Sequence, residues 1–166
     1  DLKVIAPIRE WNLKSMADKQ TYAKKCRLNV DLASRELRHL DGNLWGICTQ
    51  PEEASDLWKE PPENCFVLTS DPHKAPDEPV SVEIDFERGV PTALDGQALT
   101  PLEMIESLNR LGGAAGVGRC DIIENRVIGL KTREVYEAPA ATILHAAHKA
   151  LEEITLTKEI SDFGAA

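Results

Sequence analysis

The sequence has no Cys-x-x-Cys pair, no cluster of lysine and arginine, no long apolar run and no repeat, and each absence removes a class of function. The four cysteines, Cys26, Cys48, Cys65 and Cys120, stand far apart. Neither a zinc site nor a dithiol redox motif is spelled out, and reduced thiols acting as small buried hydrophobes are expected. With 28 acidic against 19 basic residues, the chain has a net charge of −9. It lacks the clustered cations a phosphate backbone requires, so neither nucleic acid nor an anionic membrane is an expected partner. No stretch reaches the roughly 20 apolar residues that span a bilayer, and the opening Asp1-Leu2-Lys3-Val4-Ile5-Ala6-Pro7 lacks the form of a signal peptide. A soluble, intracellular chain is expected. Asp1 in place of Met leaves two origins open, a processed chain or a piece of something longer.

What is present is one domain's worth of polypeptide. A chain of 166 residues, 42% of them hydrophobic, can bury roughly 70% of its unfolded surface without disulfide staples. Val4-Ile5-Ala6-Pro7-Ile8 reads as a buried strand stopped by proline. Ser15-Met16-Ala17-Asp18 has the form of a capping box opening a helix over about 15–27, with Met16, Lys19, Tyr22, Ala23 and Cys26 on one stripe. From 28 to 64, glycines and prolines interrupt short apolar pieces, and Trp45 and Trp58 favour ordered packing over disorder. Residues 65–70 have strand composition, followed by a proline-spaced connector over 71–79.

The clearest strand alternates Val82, Ile84 and Phe86 with Ser81, Glu83, Asp85 and Glu87. Arg88-Gly89 turns the chain into 90–94, and Asp95-Gly96 is a type I′ hairpin signal, which together predict an antiparallel meander. Thr100-Pro101-Leu102-Glu103 opens a helix over 101–112, with Leu102, Ile105, Leu108 and Leu111 on its apolar face and Gly112-Gly113 ending it. Residues 117–136 read as extended chain. Pro139 opens a helix over 139–156, with Ala140, Leu144, Ala147, Leu151 and Ile154 at helical spacing, and Thr157 caps a short terminal one. This order predicts an α+β fold with a mixed, largely antiparallel sheet packed by helices.

Three constellations invite a chemical reading. The loop Gly112-Gly113-Ala114-Ala115-Gly116-Val117-Gly118 resembles a phosphate cradle but follows a helix and lacks a Lys-Ser/Thr pair, so a helix C-cap is favoured. His145, His148 and Glu152 share a helix face without a His-Glu-x-x-His context or a marked fourth ligand, so a solvated face is favoured and no metal site is expected. The segments 119–126 and 131–137 carry Arg, Asp, Glu, Asn, Lys and Tyr between apolar residues. They suit a zwitterionic small molecule in a cleft, or else simply a strand with one wet face.

Glu124-Asn125-Arg126-Val127-Ile128-Gly129-Leu130-Lys131-Thr132-Arg133-Glu134-Val135-Tyr136-Glu137-Ala138-Pro139-Ala140, preceded by Gly116-Val117-Gly118-Arg119, resembles the signature run of argininosuccinate synthases. Val4-Ile5-Ala6-Pro7, Asp41-Gly42-Asn43-Leu44-Trp45-Gly46, Glu60-Pro61-Pro62-Glu63 and Ala75-Pro76-Asp77-Glu78-Pro79 extend the likeness in order along the chain. The resemblance implies an AMP-forming carbon–nitrogen ligase of arginine biosynthesis and the urea cycle, α/β overall when intact. Such an enzyme joins citrulline to aspartate, with ATP and its Mg2+ bound mainly outside this segment. It implies that residues 1–12 end a nucleotide-binding domain and that 13–166 form an incomplete citrulline-binding and multimerisation domain. The intact protein would be a cytoplasmic homotetramer. Glu124 and Tyr136 match the family's citrulline-holding glutamate and tyrosine; no catalytic residue and no cofactor-binding residue is assigned within the segment.

Three departures qualify the likeness. His39 and Cys48 stand where the family has citrulline-contacting serines, and Ile47 replaces an arginine common at that place. A thiol is a weak donor and an imidazole is bulky, so citrulline recognition is expected to be lowered or redirected toward another ureido compound. The family's Ser-Gly-Gly-x-Asp-x-Ser nucleotide loop does not occur here, so the chain alone is expected to be inactive. The alternative is a degenerate paralogue acting as a non-catalytic binding or oligomerisation module. Apolar surface at the edges of the segment predicts self-association.

Overall fold

The computed structural model describes residues 3–28, 38–51 and 56–164 and divides the chain into two compact units, Asp1–Leu37 and Arg38–Ala166. The expected domain boundary after residue 12 falls inside the first unit. Among the described residues that unit contains two helices, α1 (Pro7–Glu10) and α2 (Met16–Lys25). The strand expected over Val4–Ile8 does not form. Val4 and Ile5 are exposed, and Pro7 starts the turn of α1, where its missing N–H costs nothing. The Ser15 capping box is present: Asp18 N–H donates to the Ser15 hydroxyl at 3.1 Å, and Ser15 N–H donates to the Asp18 carboxylate at 2.8 Å. The helix stops at Lys25, short of 27, because Arg27 takes a positive φ of 53°. Of the expected stripe only Ala23 is buried, and the side chain of Met16 lies outside what is described.

The second unit is built on two antiparallel sheets. The larger has the order β1 (Arg38–Gly42), β2 (Ile47–Pro51), β7 (Lys131–Glu137), β6 (Arg119–Asn125); the smaller runs β3 (Ile84–Glu87), β4 (Val90–Leu94), β5 (Gln97–Ala98). Among the described residues three α-helices complete the unit: α3 (Pro101–Ala114), α4 (Pro139–Thr155) and α5 (Lys158–Gly164). This is the expected α+β class. The Asp95-Gly96 turn has both central residues at positive φ, 50° and 76°, as a type I′ hairpin requires.

The core lies between α3, α4 and the small sheet, where Leu94, Met104, Leu108, Ala140 and Leu144 pack. Met104 takes the core position expected for Leu102, which is half exposed. Helix α3 also runs through Gly112-Gly113 instead of ending there. Its last turn presses so closely on its neighbours that a Cβ on Gly113 would stand 2.3 Å from the Leu68 carbonyl oxygen, and one on Gly112 would stand 2.8 Å from Ile143 Cδ1. The cap comes later, with Val117 N–H donating to Gly112 O, Gly116 N–H to Gly113 O, and Gly116 at φ 71°.

Two strands lie in the stretch read as patternless. β1 and β2 are joined at Asn43, whose side-chain oxygen accepts from the Trp45 N–H at 2.8 Å, an Asx turn. Trp58 does not pack; it is 98% exposed. The strand expected over 65–70 is irregular chain, its N–H groups at Val67, Leu68 and Thr69 donating to the Glu137 carboxylate. Among the described residues no helix is long and apolar enough to cross a membrane.

Candidate functional site

The large sheet has two faces of different character, and the two-residue period of its strands assigns each side chain to one of them. In register, Cys48 of β2 lies beside Tyr136 of β7, and Tyr136 lies beside Cys120 of β6; Glu134 pairs with Ile122, and Thr132 with Glu124. One face therefore gathers Cys48, Cys120, Glu124, Thr132, Glu134 and Tyr136. The opposite face carries Thr49, Arg119, Asp121, Arg133, Val135 and Glu137.

On the first face the Tyr136 hydroxyl donates to Glu124 Oε1. This bond and partial burial push the phenol well above the usual tyrosine range, because ionising it would place a phenolate against a carboxylate. Glu134 is 3% exposed and is gripped from three sides. Arg126 Nη2 bonds Glu134 Oε1, the Thr132 hydroxyl donates to the same oxygen at 2.9 Å, and the Cys48 thiol reaches Glu134 Oε2 at 3.7 Å. Burial, together with the adjacent carboxylate, raises the Cys48 thiol, so it stays a neutral SH. Arg126 also donates from Nε to the Thr132 hydroxyl at 2.9 Å, while its Nη1 stands 3.7 Å from Glu124 Oε2.

Beside this cluster opens a cavity of ≈460 Å³, the size of a small-molecule site. Its wall includes Asp41, Asn43, Trp45, Cys48, Tyr136 and His145. Gly46 lets the β1–β2 turn close on β7, where a Cβ would stand 2.4 Å from the Glu137 carbonyl oxygen.

The other face is closed. Glu137 is fully buried, and its carboxylate accepts from three successive backbone N–H groups, Val67 at 2.8 Å, Leu68 at 2.9 Å and Thr69 at 2.8 Å, and from the Thr69 hydroxyl at 2.6 Å. These bonds explain why 65–70 is not a strand: its donors are committed to a side chain, not to a ladder. Arg119 locks the same segment, with bonds to both Glu63 oxygens at 2.6 and 3.0 Å and to the Thr69 carbonyl at 2.8 Å, and with its guanidinium 3.8 Å above the Phe66 ring. Arg133 pairs in bidentate fashion with Asp121 and donates to the carbonyls of Leu57 and Lys59.

The structure thus brings Glu124 and Tyr136 together. His39 sits opposite Gln50 in the β1–β2 ladder, and its side chain lies outside the described residues. His145, His148 and Glu152 do not converge: His148 Nδ1 is 3.4 Å from Glu152 Oε1, His145 lines the cavity, and no group of three metal-ligating side chains exists among the described residues. Of the four thiols only Cys65 is buried; Cys26 and Cys120 are exposed and Cys48 is intermediate, contrary to the expectation of buried thiols throughout. Sequence reasoning gave Arg126, Thr132 and Glu134 no role of their own. The signal was the spacing of Thr132, Glu134 and Tyr136, which puts all three on one face.

Comparison with known proteins gives two concordant results. Residues 39–166 match the model of the arginosuccinate synthase C-terminal domain. Over 162 residues the chain is 46% identical to proteins named argininosuccinate synthase from Chlorobium limicola and Chlorobium phaeobacteroides, and 43% identical to one from a Thermoanaerobacter species. These alignments cover 98% of the chain and 40% of each relative, so the chain spans about two-fifths of the length of the curated relatives it matches.

Proposed function

Because the chain belongs to the argininosuccinate synthase family, we propose that it is the citrulline-holding part of a ligase that joins citrulline to aspartate. The observation that carries the reading is the Glu124–Tyr136 pair, bonded to each other along one face of β6 and β7, with Tyr136 on the wall of an open cavity. In this reading Glu124 takes the α-ammonium of citrulline on Oε2, the carboxylate oxygen not used by Tyr136. The phenol fixes the carboxylate and offers its own oxygen as an acceptor. The ureido oxygen then attacks the α-phosphorus of ATP, pyrophosphate leaves, and the aspartate amine displaces AMP from the ureido carbon to give argininosuccinate. This chain's share of that chemistry is positioning, holding the amino-acid end so that the ureido end is presented in a fixed direction. ATP and Mg2+ are held mainly by residues outside it, residues 1–12 closing the nucleotide-binding domain.

The intact enzyme in this reading is a cytoplasmic homo-oligomer, a tetramer. The exposed apolar tip of the β6–β7 turn, Val127, Ile128 and Leu130, supports association, since such side chains gain from a protein partner. The test is an exchange: the matching segment of the Chlorobium limicola protein is replaced by this chain, and AMP release from citrulline, aspartate and ATP is measured. Citrulline-dependent AMP release that disappears in Glu124→Gln is expected; a folded chimera with none refutes the reading.

A second reading, a ureido substrate other than citrulline, is favoured by one observation. Cys48 spends its thiol on Glu134, 3.7 Å away, and so offers the cavity no strong donor. Restoring the hydroxyl with Cys48→Ser separates the two readings: unchanged citrulline dependence in both forms removes the second.

A further inference from the structure

Glu124, Glu134 and Arg126 together carry one net negative charge, and where that charge resides decides what the cluster can hold. Arg126 is the deciding group because it stands between the two carboxylates. Its Nη2 bonds the buried Glu134, and its Nε is anchored on Thr132, which itself donates to Glu134. Toward Glu124 it presents only Nη1, at 3.7 Å, beyond hydrogen-bond length. Exposure agrees: the Glu134 side chain is 3% exposed, against 28% for Glu124 and 42% for Arg126. A carboxylate that deep needs its cation more than a half-wet one does.

We propose that Glu134 is a positioning residue that holds Arg126 off Glu124, so that Glu124 Oε2 keeps its charge for the ammonium group of an amino-acid substrate. The inference rests on the citrulline reading for the identity of the ammonium, but not for the electrostatics. Removing the charge of Glu134 frees Arg126 to close on Glu124 and cancel it. Removing both charges leaves Glu124 negative again. A purely structural Glu134 predicts the opposite order, with the double variant no better than the single.

Tyr136 reports the charge on its acceptor without any ligand. The chain has two tyrosines, so a Tyr22→Phe parent leaves one phenol, whose ionisation is followed by near-ultraviolet phenolate absorbance on raising the pH. The ionisable groups around it are Cys48 from β2, Glu134 on its own strand, Glu124 and Cys120 from β6 and Arg126 beyond the end of β6; Asp41 from β1 and His145 from α4 share the cavity. Only Glu134 and Arg126 are varied.

In the parent the phenol resists ionisation. In Glu134→Gln the midpoint falls by about one pH unit, because the carboxylate it meets is neutralised. In Glu134→Gln/Arg126→Gln it returns to the parent value. L-citrulline affinity, by calorimetry on the same proteins, falls about tenfold and recovers in parallel, the size expected for one opposed charge in a half-wet site. An unchanged midpoint in the single variant, or no recovery in the double, overturns the proposal whatever citrulline does. The expected midpoints without citrulline binding in any form leave the positioning standing and remove the citrulline reading. If circular dichroism shows Glu134→Gln unfolded, parent and double variant decide: equal midpoints support the proposal, and a lower one in the double overturns it.

Discussion

The two faces of the large sheet each hold a buried glutamate three residues apart on β7, and the pair serves different ends. Glu137 is saturated by four donors from one short segment, three of them backbone N–H groups that have no freedom to leave. Glu134 is held by a half-exposed guanidinium, a hydroxyl and a weak thiol donor. The first arrangement is rigid and closes the chain over 57–70; the second touches Cys48, which lines an open cavity. A carboxylate's role is thus set by whether its partners are backbone or side chain, which residue type alone does not reveal.

The comparison breaks most visibly at Glu137. Glu137→Ala strands three N–H groups and a hydroxyl, and an urea titration should show a loss of about 3–5 kcal/mol. Glu124→Gln, on the open face, should stay within about 0.5 kcal/mol. Gly113→Ala comes next. Helix propensity favours alanine by about 1 kcal/mol, but the 2.3 Å approach to the Leu68 carbonyl should reverse the sign, giving a net loss of about 1–3 kcal/mol in the same titration.

The smallest effect concerns acid. Arg119 bonds Glu63 and holds its carboxyl below the ordinary glutamate value. A lowered folded-state pKa contributes stability that is complete above the unfolded value, about 4.3, and is lost as pH falls through the lowered one. Wild type should therefore lose more stability between about pH 5 and pH 3 than Arg119→Met, which lacks that contribution. Urea midpoints at the two pH values check it, and the other depressed carboxylates, common to both proteins, cancel in the comparison.

Local signals were legible in the sequence wherever they were complete within a few residues. Ser15 with Asp18, Thr100 with Glu103, and Asp95-Gly96 each name a cap or a turn by themselves, and each is found. Misreadings arose where a distant partner decided. Residues 65–70 looked like a strand until Glu137, some seventy positions away, took their N–H groups. Gly112-Gly113 looked like a helix end, although the glycines are there because Leu68, Pro139 and Ile143 press against them. β1 and β2 escaped notice because Pro51 and the Gly42–Gly46 turn obscure their short alternation. Of the site, Glu124 and Tyr136 came from resemblance and the strand period supports their meeting. Glu134 became visible only through its register and burial, and Arg126 only through its bonds to Glu134 and Thr132.

Whether Glu124 and Tyr136 seat an amino acid on the open face is tested most directly by calorimetry of the 166-residue chain with L-citrulline. Saturable binding should appear in wild type, weaken about tenfold or more in Glu124→Gln, and be unaltered in Glu63→Gln on the closed face. Binding of equal strength in wild type and Glu124→Gln, or none in a chain shown to be folded, would contradict it.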